Sequence, residues 1–161
     1  MSEIEQVLAA NERWLEDFPG DLPVAPARKL AVVACMDSRM PLFGLLGLRV
    51  GDAHVIRNAG GVVTDDTLRS VAISQHLLGT RSVVLVHHTD CGLQKATEEA
   101  FVEAVERATG HRPPWPAQTF TDLDEDVRES MRRIREAPYL VSGEVRGTVY
   151  DVRTGRLREV A

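Results

Sequence analysis

The chain has 161 residues, 43% of them hydrophobic, which suits one domain with a core of its own. Its 24 acidic and 19 basic side chains give a net charge of -5 and are mixed along the chain. No basic stripe is offered to a phosphate backbone, so nucleic acid is not an expected partner. The opening MSEIEQVLAANERW lacks the basic start and apolar stretch of a signal peptide, and no apolar run nears the roughly 20 residues that span a bilayer. A cytoplasmic protein with no membrane partner is the expectation.

Residues 3–18 place Ile4, Val7, Leu8, Trp14, Leu15 and Phe18 at spacings that mostly suit one helical face, with Pro19-Gly20 as the stop. Residues 21–28 hold Pro23 and Pro26 and read as an extended connection into a buried strand at 30–34. A second strand is expected at 53–57 and a turn at 58–61. Thr64, Asp65 and Asp66 then cap a helix running to Leu78. A third strand follows at 82–87 and a helix at 93–108, with Phe101, Val102 and Val105 turned inward. The prolines around Trp115 predict an irregular loop, with Trp115 as a lid or a subunit contact. A helix is expected from about Thr121 to Glu136. Tyr139–Val141 reads as a strand, and a hairpin is expected around Thr154-Gly155. Strands alternating with helices predict an α/β fold with a mainly parallel sheet covered on both faces and a C-terminal strand or hairpin extension.

Both cysteines, Cys35 and Cys91, follow strand-like segments, and a reducing compartment disfavours a disulfide between them. Open α/β sheets bind ligands beyond the carboxyl ends of their strands. If strands 30–34 and 82–87 are neighbours, Cys35 and His88 share one crevice, and the short step from His88 to Cys91 returns a second sulfur to it. Two sulfurs and one imidazole nitrogen suit zinc and leave a fourth tetrahedral position open, as in catalytic sites. Zinc lowers the pKa of a bound water toward neutrality, so a nucleophile forms without a triad. Asp37 is placed to accept a proton or hydrogen bond from it, and Arg39 to hold that carboxylate ionised.

Strand alternation alone does not choose between His87 and His88. The H-x-x-C spacing favours His88, which leaves His87 as a packed or hydrogen-bonded core residue. Asp90 is read as a cap for the helix beginning near Gly92. His54, His76 and His111 have no partner pattern, although His54 or His111 could relay protons from a pocket that either proved to line.

The strings Cys35-Met36-Asp37-Ser38-Arg39 and His88-Thr89-Asp90-Cys91-Gly92 resemble the paired C-x-D-S-R and H-x-x-C-G motifs of the β-carbonic anhydrase family, in its compact prokaryotic branch. Arg57-Asn58-Ala59-Gly60 is similar to the segment lining that family's carbon dioxide pocket. The resemblance implies a four-stranded parallel core and a substrate pocket at Ala59 and Gly60. It also implies an N-terminal helix, residues 1–18, laid on a neighbouring subunit of a homodimer or homotetramer. It implies zinc as cofactor and reversible hydration of carbon dioxide to bicarbonate as the reaction. Hydrolysis of carbonyl sulfide or carbon disulfide on the same site is an alternative, since relatives in this branch resemble hydrolases of those gases. A non-catalytic zinc protein is another, with Asp37 itself serving as the fourth metal ligand.

Overall fold

The computed structural model describes residues 1–161. Five strands form one sheet: β1 (Leu30–Cys35), β2 (Ala53–Asn58), β3 (Ser82–His88), β4 (Glu144–Tyr150) and β5 (Leu157–Val160), in the order β2-β1-β3-β4-β5. The first four run parallel and β5 pairs antiparallel with β4, so the expected parallel core and terminal hairpin are both present. Six helices accompany them: α1 (Glu3–Trp14), α2 (Leu42–Leu46), α3 (Asp65–His76), α4 (Gly92–Lys95), α5 (Glu98–Thr109) and α6 (Leu123–Glu136).

Both faces of the sheet are covered. On one, Ala31, Val33, Val83 and Leu85 pack with Leu68 and Val71 of α3 and Val127, Met131 and Ile134 of α6. On the other, Val32, Ala34 and Val86 pack with Leu42 of α2, Leu48 and Tyr150. β1 is apolar throughout and β3 is apolar over residues 83–86 because neither face there meets water. Helix starts carry the chemistry expected of them: Thr64 accepts from the Thr67 amide, Thr97 from Ala100, and Asp122 from Asp124 and Glu125.

Several boundaries differ from the sequence reading. The first helix ends at Trp14 and tightens into a 3-10 turn over Leu15–Asp17. The helix expected at 93–108 is two helices, because Ala96 and Thr97 adopt extended backbone and Thr97 restarts the chain as a cap. Tyr139–Val141 is not a strand. The Gln75 side chain takes up that backbone instead, its Oε1 accepting from the Val141 amide and its Nε2 donating to the Val141 carbonyl. The short α2 had no periodic signal of its own. It is stopped by Gly47, whose left-handed conformation an L side chain rarely adopts.

One glycine marks the tightest helix-to-sheet contact. A Cβ at Gly147 on β4 would lie 2.2 Å from Val127 Cγ1 and 3.0 Å from Met131 Sδ. No helix is long and apolar enough to cross a membrane. Gly147→Ala is expected to push α6 off the sheet and cost about 1–3 kcal/mol, read as a lowered urea midpoint with an unchanged slope.

Candidate metal centre

The parallel register aligns the strand ends. Ala34 on β1 faces Val86 on β3, so Cys35 and the end of β3 reach the same edge of the sheet. Cys91 follows in the loop leading into α4. One donor atom from each of Cys35, His88 and Cys91 lies within 4.8 Å of the others, and all three residues are buried.

The orientation of His88 is fixed from behind. Its Nδ1–H donates to the Thr89 carbonyl at 2.8 Å, which leaves the Nε2 lone pair toward the sulfurs. Nε2 is buried and has no hydrogen-bonding partner. A buried, orphaned nitrogen beside two thiols costs free energy unless a cation occupies the space between them. The charges agree. A hydrogen bond from Cys91 favours the thiolate of Cys35, against its burial. The Cys35 thiolate, together with burial, then holds the proton on Cys91. Burial opposes a proton on His88, but the neighbouring Cys35 thiolate outweighs it and leaves His88 raised. One negative charge and the demand for a positive one therefore sit in the same small space. The donor set fits zinc.

Asp37 lies beside this group with both of its carboxylate oxygens engaged by Arg39. Its Oδ1 accepts from the Arg39 amide at 2.8 Å and from Nε at 2.9 Å, and its Oδ2 accepts from Nη2 at 2.7 Å. The same Oδ2 is 3.7 Å from His88 Nε2. These Arg39 hydrogen bonds hold the Asp37 carboxyl well below the usual carboxylate range. Arg39 has a second anchor, since its Nη1 donates to Asp90 Oδ2 at 2.8 Å and its Nη2 to the Asp90 carbonyl at 3.1 Å. Lys95 pairs with the remaining Asp90 oxygen. Lys95 and Arg39 together bring the Asp90 carboxyl down to about 2. Asp90 is thus not the cap of α4, whose start carries no side-chain cap. It bridges the loop after β1 to the loop after β3.

The backbone after Cys35 is held by a residue whose role sequence spacing did not disclose. Arg57 donates from Nε to the Cys35 carbonyl at 2.9 Å and from Nη2 to the Asp37 carbonyl at 2.7 Å. The next residue, Asn58, donates its side-chain amide to the Val62 carbonyl at 2.8 Å and to Thr67 Oγ1 at 3.1 Å. Ala59 and Gly60 form a 3-10 turn with Gly61, and both glycines have positive φ. Ala59 lines a cleft of about 360 Å3 with Ile56, Leu93, Phe101, Trp115 and Gln118. Gly60 is closed off against Leu93, 2.7 Å from where its Cβ would be. The largest cleft, about 710 Å3, lies elsewhere, between Trp14, Leu22, Phe43 and Val50.

The remaining histidines do not join the centre. His87 is fully buried and points to α6, His54 bonds Ser74 at the opposite end of β2, His76 bonds the Tyr139 carbonyl, and His111 bonds its neighbour Thr109. Trp115 stacks at a tilt on Phe101, with centroids 6.0 Å apart.

Residues 30–157 match the family model described as Carbonic anhydrase. The chain is 48% identical over 161 residues to Beta-carbonic anhydrase 1 of Mycobacterium tuberculosis, covering 99% of each. It is 30% identical over 178 residues to Carbon disulfide hydrolase of Acidithiobacillus thiooxidans, covering 97% of this chain and 88% of the relative. The solved carbonic anhydrase of Streptococcus mutans superposes with a TM-score of 0.95 at 41% identity, over 100% of this chain and 99% of that one. With this fold and this group of donors, the chain belongs to the β-carbonic anhydrase family.

Proposed function

We propose that the chain is a zinc enzyme catalysing the reversible hydration of carbon dioxide to bicarbonate and a proton. Cys35, His88 and Cys91 are the metal ligands in this reading, and Asp37 and Arg39 are the catalytic pair. The observation that carries it is the combination of an orphaned His88 Nε2 beside two sulfurs with an Asp37 carboxylate bound on both oxygens by Arg39. Engaged in this way, Asp37 leaves the fourth metal position free, which speaks against a closed, purely structural site.

When bound, zinc supplies a Lewis acid that ionises water with a pKa of roughly 7, a general value for which carbonic anhydrases are themselves the standard example, so turnover rises with pH through about 7 to 8. The Arg39 hydrogen bonds keep Asp37 ionised, so it serves as a hydrogen-bond acceptor that orients the attacking oxygen rather than as a proton store. Ala59 and Gly60 offer the wall on which the substrate rests. Both Asp37 and Asp90 are lowered, so any stability they contribute is complete above the ordinary carboxylate range of about 4 and is lost as pH falls below it. The clamp therefore does not titrate where turnover does. The identity to a carbon disulfide hydrolase favours a second reading, hydrolysis of carbon disulfide or carbonyl sulfide on the same donors. Stopped-flow hydration of carbon dioxide beside sulfide release from those gases decides between them.

Assembly belongs to the same proposal. Ile4, Val7 and Leu8 on α1 are 73%, 71% and 69% exposed, and Leu15 and Phe18 beyond it are also exposed. An apolar helix face without cover is the mark of a contact surface. A homodimer or homotetramer follows, with residues 1–18 laid on a neighbouring subunit.

Four variants test this reading. Cys91→Ser should fall from about one zinc per chain to below about a tenth by elemental analysis, because the site loses a thiolate. Full zinc in that variant removes the ligand assignment. Arg39→Ala should keep zinc and lose at least about tenfold in turnover at both pH 7 and pH 8.5, within the roughly hundredfold that a misplaced catalytic group can cost. Asp90→Asn, which removes the charge of the second anchor but keeps the Asp37 pair and the bond to the carbonyl of residue 90, should lose less. Unchanged turnover in Arg39→Ala returns the pair to a structural role. Deleting residues 1–18 should shift the light-scattering mass from an oligomer toward a single truncated chain, lighter than the 17.8 kDa of the full one. An intact chain that is already an active monomer overturns the assembly.

A further inference from the structure

His87 is fully buried, next to a metal ligand, and takes no part in the chemistry described so far. Burying an imidazole is costly unless both nitrogens are matched. Nε2 donates to the Gly61 carbonyl at 3.0 Å. Nδ1 lies 3.1 Å from Asp126 Oδ2 on α6, a close contact between two buried atoms that make no hydrogen bond, to each other or elsewhere. Phe120 stacks on the ring, with centroids 6.3 Å apart.

The Gly61 end of this chain of contacts is unusually confined. Its φ is +73°, and a Cβ there would sit 2.8 Å from the Cys35 amide nitrogen and 3.1 Å from His87 Cδ2. The turn is therefore held between the backbone of a metal-bearing strand end and the His87 ring. Gly60 meets Leu93, two residues past Cys91, in the same way. Whatever sets the position of Gly61 also sets how Ala59 and Gly60 stand beside the donors.

We propose that His87 and Asp126 are a buried positioning pair that fixes the Ala59–Gly61 turn against Cys35 and so shapes the substrate side of the metal site. The pair acts from the opposite face of the sheet. Strand alternation sends His87 toward α6, with Val83 and Leu85, while His88 turns to the metal donors. The hydrogen bond from Nε2 then passes that anchorage through to the turn. The inference rests on the proposed substrate wall for its effect on turnover, but its mechanical part does not.

Two substitutions separate the role from simple packing. The glutamine amide nitrogen of His87→Gln stands near the place of Nε2, and the asparagine nitrogen of His87→Asn near that of Nδ1. Amide hydrogen exchange over residues 59–63 is measured in the zinc-loaded protein, with kcat and KM for carbon dioxide. His87→Asn is expected to speed exchange of the turn about tenfold and to raise KM about fivefold or more, with kcat within about twofold and zinc retained. His87→Gln should stay within about threefold of the unmodified protein in both. Asp126→Ala should give an intermediate exchange rate. Equal effects of Gln and Asn, or an unchanged turn in His87→Asn, overturn the proposal, and an unchanged turn in Asp126→Ala removes Asp126 from the pair. If the variants do not fold, the unmodified protein still decides: the 59–63 amides must exchange much more slowly than those of the 111–117 loop, and equal rates sink the idea. A chain inactive on carbon dioxide but showing the exchange pattern would break the substrate assignment and leave the positioning pair standing.

Discussion

Two buried sulfurs and a buried imidazole nitrogen within 4.8 Å of one another set the terms for the rest of the structure. Without a cation, the three groups contend for protons, and Cys35 and Cys91 respond in opposite directions because one can ionise only at the other's cost. Such an arrangement persists only where the scaffold cannot relax away from it. The rigidity comes from the sheet: β1 and β3 are central, parallel and covered on both sides, so their ends cannot separate. Arg57 then fastens the chain just past Cys35, and the Thr89 carbonyl fixes the ring of His88. Preorganisation of this kind lets the ligands meet a metal with little rearrangement.

The ion pairs around Arg39 belong to a different order of strength. Arg39 is 45% and Asp90 33% exposed in their side chains, and pairs that open to water contribute little to global stability. Their use is geometric. The guanidinium spends its planar fork on Asp37 and a further nitrogen on Asp90, so the loops after β1 and β3 are held in one mutual position. A lysine in its place would offer a point charge and no such angular control.

Much of the fold was legible because the signals that specify it are local. The apolar runs at 30–34 and 82–87, the cap at Thr64 and the turn at Thr154-Gly155 each lie within a few residues of the element they define. Where the reading failed, a distant group had taken over. Tyr139–Val141 has the composition of a strand, yet Gln75 captures its backbone, 66 residues away in sequence. The split after Lys95 escaped notice because an extended pair of residues within a helical pattern leaves no periodic trace.

The candidate site divides along the same line. Cys35 with Asp37 and Arg39, and His88 with Cys91, announce themselves because each set is confined to one short loop where spacing is nearly geometry. The contacts joining the loops carry no spacing signal: Arg39 to Asp90 spans 51 positions and Arg57 to Cys35 spans 22. Asp90 was read as a helix cap because an aspartate just before a helix usually is one, but a first turn with no cap bond left its carboxylate free for Arg39 and Lys95. The adjacent histidines show the limit most plainly. Sequence spacing favours His88 as the donor, but only the placement of α6 against one face of the sheet reveals why the neighbouring position is also a histidine. At the end of a strand covered on both sides, two successive side chains answer to two different faces, and a polar residue on each must find its partners there.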